Sequence, residues 1–223
     1  MRKNYFFGLV RRRECLALTW RGWLLLVLSV TLLSLVAVRG LYPFLAVTEP
    51  VESGLLVVEG WVSDTAMKAT VDEFKGRRYE KVCVTGGPIE HSAWVNYYKT
   101  YAEEGMATLV ELGLNADDVQ AVPSKSVRKD RTYAEAAALG KWVRDTGAVF
   151  TTVHLITEGA HARRSRLLFQ RALGSGVTVG VTSVPSSDFD PEHWWRSSAG
   201  VREVIGESLA YGYARFFFWL GEG

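Results

Sequence analysis

From residue 51 onward, short apolar runs alternate with longer stretches of helical periodicity. Residues 55–59 (Leu-Leu-Val-Val-Glu) read as a buried strand ended by Gly60. Ser63 or Asp64 then caps a helix reaching about Lys75. Residues 81–85 form the second strand, stopped by Gly86-Gly87-Pro88. A long helix is expected over about 92–112, with Gly113 as its stop and Gly105 as a candidate break. Residues 118–122 form the third strand, ended by Pro123, and Asp130 is the expected N-cap of a helix over 131–145 closed by Gly147. Residues 152–157 are the fourth strand, followed by a helix that opens at His161 and runs to Leu173. Residues 177–184 are the fifth, and a polar loop with Trp194 and Trp195 leads to a last helix over about 197–220. Strands separated by helices of this length need parallel crossovers. The expected fold class is therefore α/β, a three-layer doubly wound parallel sheet of about five strands.

The front of the chain follows a different pattern. Residues 22–38 carry no charge, and the apolar stretch resumes after Arg39 over 41–47. A bilayer crossing needs about 20 mostly apolar residues, a length met here if Arg39 snorkels. Arg2, Lys3, Arg11, Arg12, Arg13 and Arg21 lie upstream against the single acid Glu14, whereas Glu49 and Glu52 follow. The excess of positive charge before the span predicts a cytoplasmic N-terminus and an extracytoplasmic remainder, in a single-pass protein of the inner or plasma membrane. Trp20 and Trp23 at one end and Tyr42 at the other suit the two interfaces. A cleaved signal peptide is the rival reading, but its apolar core runs to about 7–15 residues, and Ala37-Val38-Arg39 breaks the small-x-small cleavage pattern. The expected organisation is a basic cytoplasmic stretch over 1–21, one N-terminal transmembrane anchor over 22–47, and an α/β domain over 48–223.

A net charge of +2 with 22% charged residues excludes the strongly basic surface of a nucleic-acid binder. Cys15 and Cys83 fall on opposite sides of the span, so no disulfide framework or zinc spacing is present, and neither a cofactor nor a metal is expected. The last helix ends in an aromatic run around Phe216, Phe217 and Phe218. Such a run packs on the sheet or meets lipid, since five consecutive apolar residues cannot share one helix face.

Ligands of open parallel sheets bind beyond the carboxyl ends of the strands. That edge collects Gly60, Trp61 and Asp64 after the first strand, and Gly86 and Gly87 after the second. Arg128, Lys129, Asp130, Arg131 and Thr132 follow the third, and Glu158, His161, Arg163 and Arg164 the fourth. Ser186, Ser187, Asp188 and Asp190 follow the fifth. At the fourth strand a turn leads into a helix whose start carries a histidine and two arginines, where the helix N-terminus already favours anions. His161 is expected neutral there, as a general base or a hydrogen-bond donor to an anion, with Arg164 on its face. Duller roles compete: Gly86-Gly87 as a tight turn, Asp64 and Asp130 as caps, and His154 as a satisfied core residue. No nucleophile elbow, metal-ligand cluster or acid pair is visible.

Gly60-Trp61, Thr85-Gly86-Gly87, Asp130-Arg131-Thr132-Tyr133 and the stretch 159–165 (Gly-Ala-His-Ala-Arg-Arg-Ser) together resemble the YdcF-like family, which contains the SanA and ElyC envelope proteins. The resemblance covers about residues 54–215. It implies a Rossmann-like domain, often behind one membrane segment, and carries Gly86, Gly87, Thr132, His161 and Arg164 onto recurrent family positions. Two departures stand out: Val58-Glu59-Gly60-Trp61 replaces a run of glycines, and Arg131 and Glu135 stand where asparagines are common. The family is linked to envelope-barrier integrity and polyprenyl-phosphate-linked sugar intermediates, and one soluble member to S-adenosylmethionine.

The resulting expectation is a membrane-tethered protein that binds an anionic small molecule or lipid-linked phosphate in cell-envelope polysaccharide or peptidoglycan-precursor metabolism. Arg163 and Arg164 would neutralise phosphate, the Gly86-Gly87 amides would hydrogen-bond it, and His161 would transfer a proton, in phosphoester or glycosyl-phosphate chemistry. The alternatives are a non-catalytic envelope scaffold or sensor, and a nucleotide or S-adenosylmethionine binder. Buried acids beside His161 would favour catalysis; arginines alone would favour binding.

Overall fold

The computed structural model describes residues 18–89 and 97–218, with a short antiparallel pairing of Asn4–Tyr5 and Val10–Arg11. The chain divides into two compact units, Met1–Val38 and Arg39–Gly223. Helix α1 (Trp20–Leu45) is long and apolar enough to cross a membrane: its most apolar window has a mean hydropathy of 2.3, and none of that window is buried. At about 1.5 Å per residue its 26 residues exceed the ~30 Å hydrocarbon core of a bilayer. Its last turn belongs to the second unit, where Leu45 is fully buried and Tyr42 meets Phe189 edge-on at 6.0 Å.

In that unit five strands, β1 (Ser53–Glu59), β2 (Arg78–Gly86), β3 (Val119–Pro123), β4 (Thr152–Glu158) and β5 (Thr178–Val184), form an all-parallel sheet in the order β3-β2-β1-β4-β5. Five helices accompany them: α2 (Asp64–Gly76), α3 (Tyr101–Glu111), α4 (Arg131–Thr146), α5 (Ala162–Leu173) and α6 (Ser198–Phe216). Alternate residues of each strand serve opposite faces. Leu56, Val58, Val82 and Val84 pack under Met67 and Val71 of α2 and Leu109 of α3. Leu55, Val57, Cys83 and Leu155 pack under Leu139 of α4 and Phe169 of α5. This is the expected three-layer, Rossmann-like α/β fold.

Several local expectations are corrected. Helix α3 starts at Tyr101 rather than near 92, because Thr100 and Glu103 form a reciprocal capping box that fixes its first turn; residues 90–96 lie outside those described. Gly105 does not break it. A Cβ there would lie 2.8 Å from Val84 Cγ1 and 3.2 Å from Gly60 Cα, so the glycine lets α3 settle onto the sheet. Asp130 precedes α4 with φ 55° and makes no side-chain cap, and Ser63 likewise makes no side-chain cap on α2. Helix α6 ends at Phe216, and Phe216 and Phe217 are exposed rather than packed on the sheet, continuing an outward apolar stripe of Val201, Ile205, Leu209 and Tyr213. Residues 219–223 are outside those described.

His154 is the satisfied core residue that its mid-strand position suggests. Its Nε2 meets Thr182 Oγ1 at 2.8 Å, its Nδ1 lies 2.9 Å from the Val51 carbonyl, and burial pushes its pKa down. Burial pushes the Cys83 thiol up to about 12, which leaves it an inert packing group.

A Cβ on Gly60 would lie 2.2 Å from the Tyr101 carbonyl oxygen, and one on Gly86 2.6 Å from the Ala102 nitrogen. Since backbone has to move to relieve such a contact, Gly60→Ala is expected to destabilise the domain by about 1–3 kcal/mol. Urea unfolding followed by circular dichroism reads this change.

Candidate functional site

Helix α2, which follows β1, and helix α5, which follows β4, lie on opposite faces of the sheet. The crevice between the carboxyl ends of these adjacent strands is where open α/β sheets bind ligands. Each strand ends there in a glutamate, Glu59 and Glu158. After β4 the chain turns at Gly159, whose φ of 53° favours glycine and whose missing Cβ makes room for Glu203 Oε1. Glu203 accepts the Ala160 amide at 2.9 Å, and a single 3₁₀ turn then delivers His161 to the head of α5.

His161 lies between two carboxylates. Its Nδ1 donates to Glu207 Oε1 at 2.9 Å, and its Nε2 stands 3.4 Å from Glu59 Oε1. Arg164 grips Glu207 with two hydrogen bonds, Nε to Oε2 at 2.7 Å and Nη2 to Oε1 at 2.9 Å, and its Nη1 reaches Thr132 Oγ1 at 3.3 Å. Glu59 is fully buried and accepts from Thr157 Oγ1 and from Ser165 Oγ, the latter at 3.2 Å. The Trp61 ring meets the imidazole edge-on at 5.0 Å.

These contacts overturn the expectation of a neutral His161. Burial alone would push the imidazole toward neutrality, but Glu59 and Glu207 outweigh it and raise its pKa to about 9. Burial works to raise Glu207 as well, yet hydrogen bonds from His161 and Arg164 bring it down to about 2. For Glu59, burial is outweighed chiefly by His161, with Thr157 and Arg164 assisting, and its pKa is also lowered. A local preference at a helix N-terminus is thus overruled by two tertiary partners. At neutral pH the quartet, with Glu59 fully buried and the others partly so, holds two negative and two positive charges.

A fifth buried group behaves differently. Glu135, on the inner side of α4, is raised from its ordinary 4.5 to about 8 by burial and by the nearby Glu59 charge, against smaller opposing effects of His161 and Arg131. The Gly87 amide donates to its carboxyl group, while its Oε2 is buried without a partner.

Two cavities flank Trp61 and His161, which line both. The larger, about 470 Å³, has Lys125, Arg128, Arg131 and Arg164 among its walls, with Glu135 and the apolar Leu168, Tyr213, Ala214 and Phe218. The smaller, about 430 Å³, is lined by Ser63, Ser186 and Ser187 with Glu158, Asp188 and Glu203. Among the described residues no group of three or more His, Cys, Asp or Glu is placed to hold a metal ion.

Of the residues singled out in the sequence, Trp61, Gly87, Asp130, Arg131, Thr132, His161 and Arg164 line the larger cavity. Gly60 and Gly86 instead face the start of α3, and Asp64 is an exposed residue of the first turn of α2. Arg163 is turned away, its guanidinium 4.1 Å over the Phe44 ring and its Nε donating to the Phe44 carbonyl. The Gly87 amide, expected to face phosphate, is engaged by Glu135. Sequence reasoning missed Glu59, Glu135, Glu203 and Glu207. The available signals were a glutamate closing an apolar strand and a pair of glutamates four apart on α6. No family model matches the chain, and no curated protein matches it.

Glu135 makes stability pH-dependent. Between about 4.5 and 8 the folded state keeps a proton that the unfolded state has lost, so stability falls as pH rises through this range. His161 acts in the same direction from about 6.5 to 9, where its raised pKa retains a proton on folding. Replacing Glu135 with isosteric, uncharged Gln is expected to flatten the fall between pH 5 and 8 and to raise the Tm at pH 8. Calorimetry across that range tests this.

Proposed function

We propose that this chain is a membrane-anchored, extracytoplasmic α/β protein that binds a phosphorylated, lipid-linked ligand in cell-envelope polysaccharide or peptidoglycan-precursor metabolism. The observation that carries this reading is the mixed lining of the larger cavity. Lys125, Arg128 and Arg131, at and just before the head of α4, line it with no ion pair to any described residue. The apolar Leu168, Tyr213, Ala214 and Phe218 line it as well. Unpaired cations beside a helix N-terminus suit phosphate oxygens, and an apolar wall suits the chain attached to them. The basic stretch before α1 supports an extracytoplasmic domain. The resemblance to YdcF-like proteins points to the same process.

The chemistry this site favours is phosphoester or glycosyl-phosphate transfer. Two buried acids, Glu59 and Glu135, and the partly buried Glu207 lie in and around the His161 crevice, an arrangement that favours catalysis over scaffolding. His161 serves as a cation and proton donor rather than as a general base, since both carboxylates hold it protonated near neutrality. Arg164 orients Glu207 and presents its remaining donor face beside Thr132. A binding or sensor role is the second reading, favoured by the ion pairing that immobilises His161 and Arg164.

Alkaline phosphatase fused after residue 218 is expected to be active in cells. Activity only from a cytoplasmic reporter would reverse the topology and favour the nucleotide or S-adenosylmethionine reading. In detergent, the full chain is expected to bind farnesyl phosphate, and Arg128→Ala with Arg131→Ala to weaken binding about tenfold or more, as loss of charged hydrogen bonds implies. Unchanged affinity in that double variant would remove the larger cavity as the phosphate site.

A further inference from the structure

Helix α6 divides its charges by face. Its two acids, Glu203 and Glu207, are turned to the crevice, where they hold the Ala160 amide and the His161–Arg164 pair. Its outer face holds Val201, Ile205, Leu209 and Tyr213 at every fourth position and then Phe216, with Phe217 just beyond the helix end. Leu209 is 72% exposed and Phe216 71%, so these side chains are not the shielded margin of a core. The charged residues exposed on α6 are Arg202 and Arg215, and neither makes an ion pair with any described residue. A water-facing helix surface carries polar residues in such positions. An outer face that is apolar, aromatic toward one end and cationic without a carboxylate has the composition of a helix lying in the headgroup region of a bilayer.

The unit that contains α6 also contains the end of the apolar helix. Counted from Trp20, about 20 residues of α1 complete a bilayer crossing near Arg39, and Phe44 lies ~8 Å further along at about 1.5 Å per residue. There the chain is already part of the domain: Leu45 is fully buried, and Phe44 meets Tyr211 of α6 edge-on at 5.7 Å. The connection from the span to α6 is thus a short stretch of helix and one ring contact, which keeps the bilayer surface close to α6.

We infer that the outer face of α6 docks on the lipid surface, with Leu209 and Phe216 at the boundary of headgroups and acyl chains and Arg202 and Arg215 against anionic headgroups. The inference rests on reading α1 as a membrane anchor, and adds to that anchor a second contact that lies on the bilayer rather than crossing it. A second copy of the chain is the rival occupant, but pairing this face with itself brings arginines together with no carboxylate on the face to oppose them. Because the inner face of the same helix supplies Glu203 and Glu207, docking holds the crevice at the membrane surface.

The full chain, with Cys15→Ser and the buried Cys83 left in place, is reconstituted into vesicles of phosphatidylcholine and phosphatidylglycerol. A single environment-sensitive fluorophore is attached in turn through Leu209→Cys, Phe216→Cys, Lys141→Cys on the exposed side of α4, and Leu32→Cys in the apolar span. Emission is compared with and without a spin-labelled lipid that quenches from the acyl chains. The labels at 209 and 216 are expected to be blue-shifted and quenched at least about twofold more than the label at 141, as insertion of an apolar helix face by ~5–10 Å implies. Ile205→Glu with Phe216→Glu, both at exposed positions, is expected to abolish the quenching of the label at 209. Blue-shifted emission without lipid quenching means that a second copy covers the face, and overturns the inference. Quenching that survives the double variant overturns it too. Water-like emission at 209 and 216 with quenching at 32 overturns the docking while leaving the anchor standing. Absence of quenching at 32 overturns the anchor reading and the docking with it.

Discussion

A carboxylate at the centre of the sheet needs compensation, and the rest of the site is the form that compensation takes. Glu59 closes the middle strand β1 and is fully buried, where an uncompensated charge would cost several kcal/mol. Thr157 and Ser165 supply hydroxyl donors from β4 and α5, and His161 supplies the opposing charge. The imidazolium in turn needs a partner for its other nitrogen, which Glu207 provides from α6, and Glu207 is held by both arms of Arg164. The chain of partners therefore runs from the core strand to the last helix, and each member is fixed by the next.

The same arrangement keeps the crevice from being electrically extreme. Two carboxylates and two cations cancel, and burial together with the Glu59 charge raises a further carboxyl, Glu135, to about 8 against the smaller opposing effects of His161 and Arg131. The cations that stay free are the outer ones, Lys125, Arg128 and Arg131, at the exposed rim of the larger cavity. Exposed guanidinium and ammonium groups thus stand outside, and a compact hydrogen-bonded array stands within. His161 and Trp61 form the wall between this cavity and the acidic one beside it.

The strands and their order of succession were legible because buried parallel strands are continuous apolar runs bounded by glycine or proline, as at Gly60, Gly86 and Pro123. The apolar helix before residue 45 was equally plain. The collection of Trp61, Gly87, Arg131, Thr132, His161 and Arg164 at one cavity followed from the rule that such sheets present their loops together. What stayed hidden was any feature made by distant partners. Glu207 reads as one more polar residue on α6, and His161 as a neutral helix-start residue, until a contact across 46 positions brings them together. Glu59 and Ser165 are 106 apart. Arg163 and Arg164 are adjacent and chemically identical, and only packing against Phe44 turns the first away from the crevice. The start of α3 is a different case, since the Thr100 and Glu103 capping pair was present in the sequence and outranks the apolar periodicity upstream of it.

The place of Glu207 on the final helix has a consequence for how the chain matures. During synthesis Glu59 emerges first, His161 and Arg164 follow about a hundred residues later, and Glu207 comes last. Until α6 docks, the head of α5 carries two positive groups with a single carboxylate between them, and the acidic partner that quenches the excess is absent. Pairing of β1 with β4 therefore leaves an electrostatic vacancy that only α6 fills. The terminal helix, apolar on its outer face, is the latch that turns a folded sheet into a finished crevice.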